Sequence, residues 1–389
     1  MVIYAAILIV PWLLALALTP LARRWALARG WLDRPGGRKS HPEPIPMLGG
    51  VAVFTAVLLG ILLLVPFSPA IRAGLSGSGS LLALAAGLIP LLILGVYDDC
   101  KDLPAGVKLI GQIVVAGMTW FLGFRCGAVE LPFGWMISGS ALPSFLLTVG
   151  WIVIVTNAFN LLDGLDGLAA GVGIVATLTI FVLAAGNEAS VPVIGTLALA
   201  GALAGFLRFN IPPARIFLGD AGAMGIGYTT AVLSLASYQK SPTVVVLIVP
   251  LLALGLPLLD TIVAIVRRTG EHLRDAGAHG FHPIRVARAV FQADRRHIHH
   301  LLVRMGWSVR RVLFSLYAIS AGLGFLALWT RSVSSDLRWA IWLSLLLSGL
   351  VTLRWIERSI EKKERAHAQE ALGADVPMRS GSSQRSATG

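Results

Sequence analysis

The sequence predicts an all-α integral membrane protein of about eleven transmembrane helices, and three observations support this. Of its 389 residues, 56% are hydrophobic and only 13% are charged, whereas soluble domains carry about 25% charged residues. The apolar residues form runs of ~18–22 residues, the length that a helix needs to cross a bilayer. Lys and Arg are concentrated in alternate loops, as in multi-pass membrane proteins. We assign 1–355 to the membrane domain and 356–389 to a charged, disordered cytoplasmic tail.

The predicted spans follow one another with short connections. They are 3–22, 49–67, 80–97, 108–125, 142–159, 168–185, 191–207, 222–238, 243–266, 311–330 and 338–355. The first is retained as a span because no basic stretch precedes it and Arg23 and Arg24 follow it, the reverse of a secretory signal. The N-terminus is therefore expected outside and the C-terminus in the cytoplasm.

The distribution of positive charge supports this topology. It places 27 of the 32 Lys and Arg residues on one side of the membrane, and the basic side is the cytoplasmic one. The net charge of +12 is thus explained by topology, and nucleic-acid binding is not needed to explain it. The basic loops also favour anionic membrane lipids and phosphorylated substrates.

Polar side chains collect at the predicted cytoplasmic ends of three spans. The sets are Asp98, Asp99 and Asp102; Asn157, Asn160, Asp163 and Asp166; and Asp220. Without compensation their carboxylates would repel one another, and Mg²⁺ relieves such repulsion through oxygen ligands while leaving positions for water and phosphate. Each aspartate alone is equally well explained as a helix cap, but capping does not require three clusters on one face. The set therefore indicates a Mg²⁺ site, with Mn²⁺ as an alternative ion, that takes a phosphorylated substrate.

Basic residues are predicted to face this acidic set. The loop 267–310 contains ADRRHIHHLL, and its imidazole and guanidinium groups suit phosphate. A Zn²⁺ site is an alternative, but no Cys or second ligand cluster accompanies the histidines; a solvated loop facing anionic lipid is another. Lys108 begins the fourth span, where a lysine ordinarily snorkels, and it could also offset the aspartates and bind phosphate.

Six motifs in order resemble the polyprenyl-phosphate N-acetylhexosamine-1-phosphate transferases, a glycosyltransferase family related to the phospho-MurNAc-pentapeptide transferase of peptidoglycan synthesis. The motifs are RKSHPEPIPMLGG, GVYDDCKDL, NAFNLLDGLDGLAAG, RFNIPPARIFLGDAGA, PLLDTIVAIVRR and ADRRHIHHLL. The likeness covers ~40–355, within the uncertainty of such boundaries. It implies a multi-pass enzyme of the bacterial inner membrane, with its active site at the cytoplasmic face. The implied reaction moves N-acetylhexosamine-1-phosphate from a UDP-sugar to undecaprenyl phosphate, releases UMP and initiates a cell-envelope polysaccharide.

The resemblance also implies roles for individual residues. It assigns Mg²⁺ ligation to Asn160 and Asp220; the lipid phosphate to Asp98 and Asp99, with Asp98 a candidate base; phosphate contact to Lys108; the nucleotide to Asp163, Asp166 and Asn210; and the sugar diphosphate to Arg295, His297, His299 and His300.

Two alternative functions and one question of assembly remain open. The peptidoglycan branch typically shows three consecutive histidines, whereas this chain has His-Ile-His-His, which favours UDP-N-acetylglucosamine or a related UDP-N-acetylhexosamine. A lipid-phosphate or anion transporter would share the charges but should hold them near the bilayer midplane. A homodimer is left open.

Overall fold

The computed structural model confirms the all-α fold class. It describes residues 2–33, 43–127, 129–130, 136–137, 140–186, 190–237, 254–255, 258, 261–262 and 298–374. Its helices are α1 (Val2–Arg29), α2 (Gly49–Leu64), α3 (Pro69–Gly74), α4 (Leu81–Lys101), α5 (Ala105–Phe121), α6 (Ala141–Leu162), α7 (Leu168–Gly186), α8 (Ser190–Asn210), α9 (Gly219–Ala236), α10 (Ile298–Arg304), α11 (Val309–Trp329) and α12 (Ser335–Ala374). Short 3₁₀ turns occupy Val65–Phe67 and Thr330–Ser332.

Eight of the helices in the described ranges are long and apolar enough to cross a membrane. Two further predicted spans are helices outside that set: α5, which is shorter, and α9, which is rich in Gly, Ala, Ser and Thr. Most of the predicted span 243–266 lies outside the described residues. The helix α12 continues to Ala374, so the first part of the predicted tail is helical, and 375–389 lie outside the described residues.

The helix α9 lies at the centre of the bundle, where each residue from Ala221 to Ala236 is buried. It packs against α2, α4, α6, α7 and α8. Small residues permit the closest of these approaches, as is usual where helices pack within membranes. A Cβ at Gly50 of α2 would collide with the backbone of Gly222, and one at Gly95 of α4 would collide with the backbone of Ala221. Two helices therefore hold the first turn of α9 by backbone contact.

Two short hairpins lie in the connections. Strands β1 (Leu32–Asp33) and β2 (Ile45–Pro46) pair antiparallel, and so do β3 (Val129–Glu130) and β4 (Met136–Ile137). The second pair lies in the connection between α5 and α6. The first pair leads into α2 and brings residues 46–50 beside the segment that precedes α9.

Candidate active site

A lysine and two aspartates from three helices form the centre of the candidate site. The Nζ atom of Lys108, in the first turns of α5, lies 2.6 Å from Oδ2 of Asp98 and 3.2 Å from Oδ2 of Asp220. The Asp98 side chain is only 2% exposed, whereas those of Lys108 and Asp220 are 26% and 34% exposed. The ammonium group thus serves as an internal counter-ion for carboxylates that would otherwise repel, and one side of the cluster is open to ligand.

The helix α6 adds an amide to this cluster. Nδ2 of Asn160 donates a hydrogen bond to Oδ1 of Asp220 at 2.8 Å. The side-chain oxygen of Asn160, Oδ1, has no protein partner within the described part of the chain, so it remains available to a ligand. Four helices, α4, α5, α6 and α9, thereby bring Asp98, Lys108, Asn160 and Asp220 together, although these residues span more than 120 positions of sequence.

Asp99 differs from its neighbour Asp98 in what it contacts. Its two carboxylate oxygens accept hydrogen bonds from the backbone N–H groups of Asp220 (2.7 Å) and Ala221 (3.3 Å). A carboxylate at a helix N-terminus satisfies otherwise unpaired N–H groups and interacts favourably with the helix dipole. Asp99 therefore caps α9 and fixes the backbone that carries Asp220.

The turn after α6 carries the DGLDG motif, and its first aspartate differs from the second in its contacts. Asp163 ends α6 and is half-buried, and its carboxylate makes no hydrogen bond or ion pair with the described residues. Burial raises the pKa of Asp163 well above its usual range, and the negative charges of Asp220, Asp99 and Asp166 raise it further. A cation or a hydrogen-bond donor at this position would stabilise the ionised form.

Two other predicted nucleotide residues brace this turn from the side of α8. Oδ2 of Asp166 accepts from the N–H of Ala214 at 2.9 Å. The buried Asn210 accepts from the N–H of Gly167 at 3.0 Å and donates to the Ile216 carbonyl at 2.9 Å. These bonds join the DGLDG turn to the segment before α9, so both residues shape the pocket wall through the backbone.

The histidine motif reaches the same turn. His299, in α10, is buried, and its ring packs against Gly164, where a Cβ would lie 2.5 Å from Nε2. The rings of His299 and His300 are 4.2 Å apart between centroids. The structure thus brings two of the predicted basic residues to the DGLDG motif, whereas Arg295 and His297 lie outside the described residues.

The side chains of the central cluster offer oxygen donors to a divalent cation. No three His, Cys, Asp or Glu side chains within the described ranges are arranged as a closed metal site. The side-chain oxygens of Asn160 and Asp220, two partly exposed residues, are hard donors of the type that Mg²⁺ prefers when water and substrate phosphate complete its shell. The residues therefore fit a Mg²⁺ ion that is bound through few protein ligands.

Sequence reasoning missed several residues that shape the site. The N–H groups of Gly49 and Gly50, in the PMLGG part of the first motif, donate to the carbonyls of Phe217 and Leu218. The N–H of Phe217 donates to the Pro46 carbonyl. The adjacent glycines Gly49 and Gly50 were the sequence feature that could have indicated this close backbone contact. Sequence reasoning also missed Tyr317 of α11, Gln112 of α5 and the role of Met224 in α9. Tyr317 donates to the Gly167 carbonyl at 2.5 Å; nothing in the local pattern marks it, because its partner is about 150 residues away.

Comparison with known proteins identifies the family of this chain. Residues 81–238 match the model of glycosyl transferase family 4, a range that holds all four members of the central cluster. The chain is 34% identical over 347 residues to a probable undecaprenyl-phosphate N-acetylglucosaminyl 1-phosphate transferase of Bacillus subtilis (strain 168), covering 87% of this chain and 86% of the relative. This chain belongs to glycosyl transferase family 4.

Two further relatives extend the family comparison. A decaprenyl-phosphate N-acetylglucosaminephosphotransferase of Mycobacterium tuberculosis (strain ATCC 25618 / H37Rv) is 33% identical over 76% of this chain and 74% of its own length. An undecaprenyl-phosphate alpha-N-acetylglucosaminyl 1-phosphate transferase of Yersinia pestis is 28% identical over 81% of each chain. The family membership expected from the six motifs is thereby confirmed.

Proposed function

We propose that this chain transfers N-acetylglucosamine-1-phosphate from UDP-N-acetylglucosamine to a polyprenyl phosphate, of the undecaprenyl type, in the bacterial plasma membrane. The observation that carries the proposal is the convergence of Asp98, Lys108, Asn160 and Asp220 beside the DGLDG turn. The relatives' names, which specify N-acetylglucosaminyl phosphate and polyprenyl phosphate, support this sugar over the phospho-MurNAc-pentapeptide alternative. They also favour a transferase over a transporter.

In the proposed reaction an oxygen of polyprenyl phosphate attacks the β-phosphorus of the UDP-sugar. A new P–O bond forms there, and the bond from the β-phosphorus to the bridging oxygen breaks. UMP leaves with that electron pair, and the product is a polyprenyl diphosphate sugar. A phosphate monoester is already largely ionised at pH 7, so no general base is required. Catalysis then depends on positioning and charge stabilisation.

The chain's own residues divide these tasks. Lys108 supplies positive charge for the substrate phosphates, and Asp98 holds the ammonium group in place. Asn160 and Asp220 would hold Mg²⁺, which supplies charge stabilisation for the diphosphate when bound. His299 and His300, beside the DGLDG turn, would donate hydrogen bonds from their imidazole groups to the sugar diphosphate.

The topology completes the proposal. With the N-terminus outside and about eleven spans that alternate in direction, the cluster would lie at the cytoplasmic face, where a soluble nucleotide sugar is available. The positive charge of the basic loops on that face would then attract the anionic substrates. The charge distribution of the loops supports this orientation.

A reconstituted assay tests the reaction. Purified protein, undecaprenyl phosphate and Mg²⁺ are incubated with UDP-N-acetylglucosamine, with UDP-MurNAc-pentapeptide and with other UDP-N-acetylhexosamines, and UMP and lipid product are measured. UDP-N-acetylglucosamine should give the fastest turnover. Asp220→Ala should abolish this turnover. The control variant Asp336→Ala, which removes an aspartate from the first turn of α12, should leave it unchanged. Absence of product with every UDP-N-acetylhexosamine would refute the proposed function.

A further inference from the structure

A second set of polar contacts lies one helical turn beneath the candidate site. Nδ2 of Asn157 donates to Oε1 of Gln112 at 2.6 Å and to the Val153 carbonyl at 2.8 Å. Nε2 of Gln112 in turn contacts the sulfur of Met224 at 3.3 Å. Gln112 is only 3% exposed, and an amide in such a place is costly unless its polar atoms are paired.

These contacts repeat the arrangement above them helix by helix. The site layer consists of Lys108, Asn160 and Asp220, on α5, α6 and α9. The support layer consists of Gln112, Asn157 and Met224, on the same three helices.

The spacing between the layers is that of one helical turn. Gln112 and Met224 are four residues from Lys108 and Asp220, and Asn157 is three residues from Asn160. Residues three or four apart share a helix face about 5–6 Å apart along the axis. Each support-layer residue therefore lies directly beneath its site-layer counterpart, farther from the helix end that carries the site.

We infer that Gln112 is a positioning residue that fixes α5 against α6 and α9 so that Lys108 meets Asp220 and Asn160 at the correct separation. The inference rests on the proposed function, because it concerns how that same site is held. Interhelical hydrogen bonds of side-chain amides are a usual means of holding helices together within membranes. Small displacements in a catalytic constellation reduce turnover strongly, so the loss should appear in kcat.

The principal variant is Gln112→Leu, which keeps the side-chain volume and removes both amide contacts. It should lower kcat by about 10–100-fold, leave the KM for UDP-N-acetylglucosamine within about twofold, and raise the Mg²⁺ concentration for half-maximal activity. The matched control is Tyr228→Phe. The Tyr228 hydroxyl bonds to that of Thr119 at 2.9 Å, also between α5 and α9 but deeper in the bundle. This control should lower the thermal midpoint and leave kcat within about twofold.

A residue swap separates positioning from mere packing. Gln112→Asn shortens the side chain so that the contact with Asn157 is lost, and the double variant Gln112→Asn/Asn157→Gln restores the combined length of the pair. The swap should recover most of the kcat that Gln112→Asn loses. This comparison also serves if Gln112→Leu fails to fold, because both of its variants keep the polar groups.

Any of three results would overturn the inference. These are an unchanged kcat in Gln112→Leu, an equal loss of kcat in Tyr228→Phe, and a double variant Gln112→Asn/Asn157→Gln whose kcat is no higher than that of Gln112→Asn. Turnover of the unsubstituted protein is the reference for the proposed function itself. If that protein shows no turnover, Mg²⁺ binding measured by thermal unfolding still tests the inference. The Mg²⁺ concentration that gives half of the maximal rise in thermal midpoint should increase in Gln112→Leu and stay unchanged in Tyr228→Phe.

Discussion

Removal of the Lys108 ammonium group by Lys108→Met is the most direct test of the central cluster. The substitution keeps an unbranched chain of similar length and leaves Asp98 and Asp220 facing each other without a counter-ion. We expect turnover to fall strongly and the protein to become more dependent on divalent cations. Both effects follow from the two short contacts of Nζ, at 2.6 and 3.2 Å.

The size of the effect can be worked from these distances. At an effective dielectric constant of about 20, unit charges so placed attract by roughly 6 and 5 kcal/mol. Desolvation offsets much of this, and removing one partner of a buried pair costs about 3–5 kcal/mol. Because Lys108 and Asp220 are 26% and 34% exposed, we take the lower end, about 3 kcal/mol. We expect the ammonium group to stabilise the charge of the substrate phosphates in the transition state by a similar amount, which corresponds to a loss of about 100-fold in turnover.

The assay combines UMP release with thermal unfolding in detergent across a Mg²⁺ titration. Mg²⁺ should raise the thermal midpoint of Lys108→Met more than that of the unsubstituted protein, because the vacated carboxylates attract a cation more strongly. The control is Lys101→Met, which removes an exposed lysine from the last turn of α4 and should change neither quantity. Turnover within threefold of the unsubstituted protein, or an equal response to Mg²⁺, would refute the reasoning.

Three further predictions concern the parts around the cluster. Gly219→Ala places a Cβ 2.6 Å from Oδ2 of Asp99 at a φ of +74°, so the thermal midpoint and turnover should both fall. Tyr317→Phe removes the hydroxyl that donates to the Gly167 carbonyl; the loss of about 1 kcal/mol should weaken UDP-sugar binding about fivefold. Asp163→Asn removes a carboxyl whose folded-state pKa is raised, so in EDTA it should raise the thermal midpoint near neutral pH and have no effect below about pH 4.

Each of these three predictions can be contradicted by a control variant, by an unchanged KM or by a pH effect in the opposite direction. Gly106→Ala, where an added Cβ meets nothing within 4 Å, should not destabilise, and equal losses in both glycine variants would contradict the clash. An unchanged KM in Tyr317→Phe would show that the turn does not depend on this bond. For Asp163, ionisation costs stability as pH rises from the ordinary value through the raised pKa, so a stabilisation confined to acid pH would have the wrong sign.

The helical architecture could be predicted from the sequence more fully than the contacts within the site. Long apolar runs and the charged loops specify spans locally, so α7, α8 and α11 were predicted closely. The partner of each polar residue was not local information. Asp98 and Asp99 are adjacent and equally acidic, yet one binds Lys108 and the other caps α9. That difference depends on which face of α4 meets its neighbours.

The missed residues have a similar explanation. A lone Gln in an apolar helix was visible in the sequence, but its meaning depends on Asn157 and Met224 of two distant helices. Asp166 and Asn210 were predicted to contact nucleotide through the resemblance, and that contact stays a prediction; in the fold their side chains also bind backbone groups. A motif identifies which residues matter together without distinguishing a ligand from a support.

The backbone pairing between residues 46–50 and 216–218 has a consequence for biosynthesis. The start of α2 is completed by hydrogen bonds from a segment roughly 170 residues later, which a ribosome reaches about 10–30 s after it has made Gly50. During that interval the N–H groups of Gly49 and Gly50 lack their eventual acceptors, and α9 has not yet entered the bilayer. The active site is thus assembled late in membrane insertion, and a chain truncated before Phe217 would contain inserted helices without a formed site.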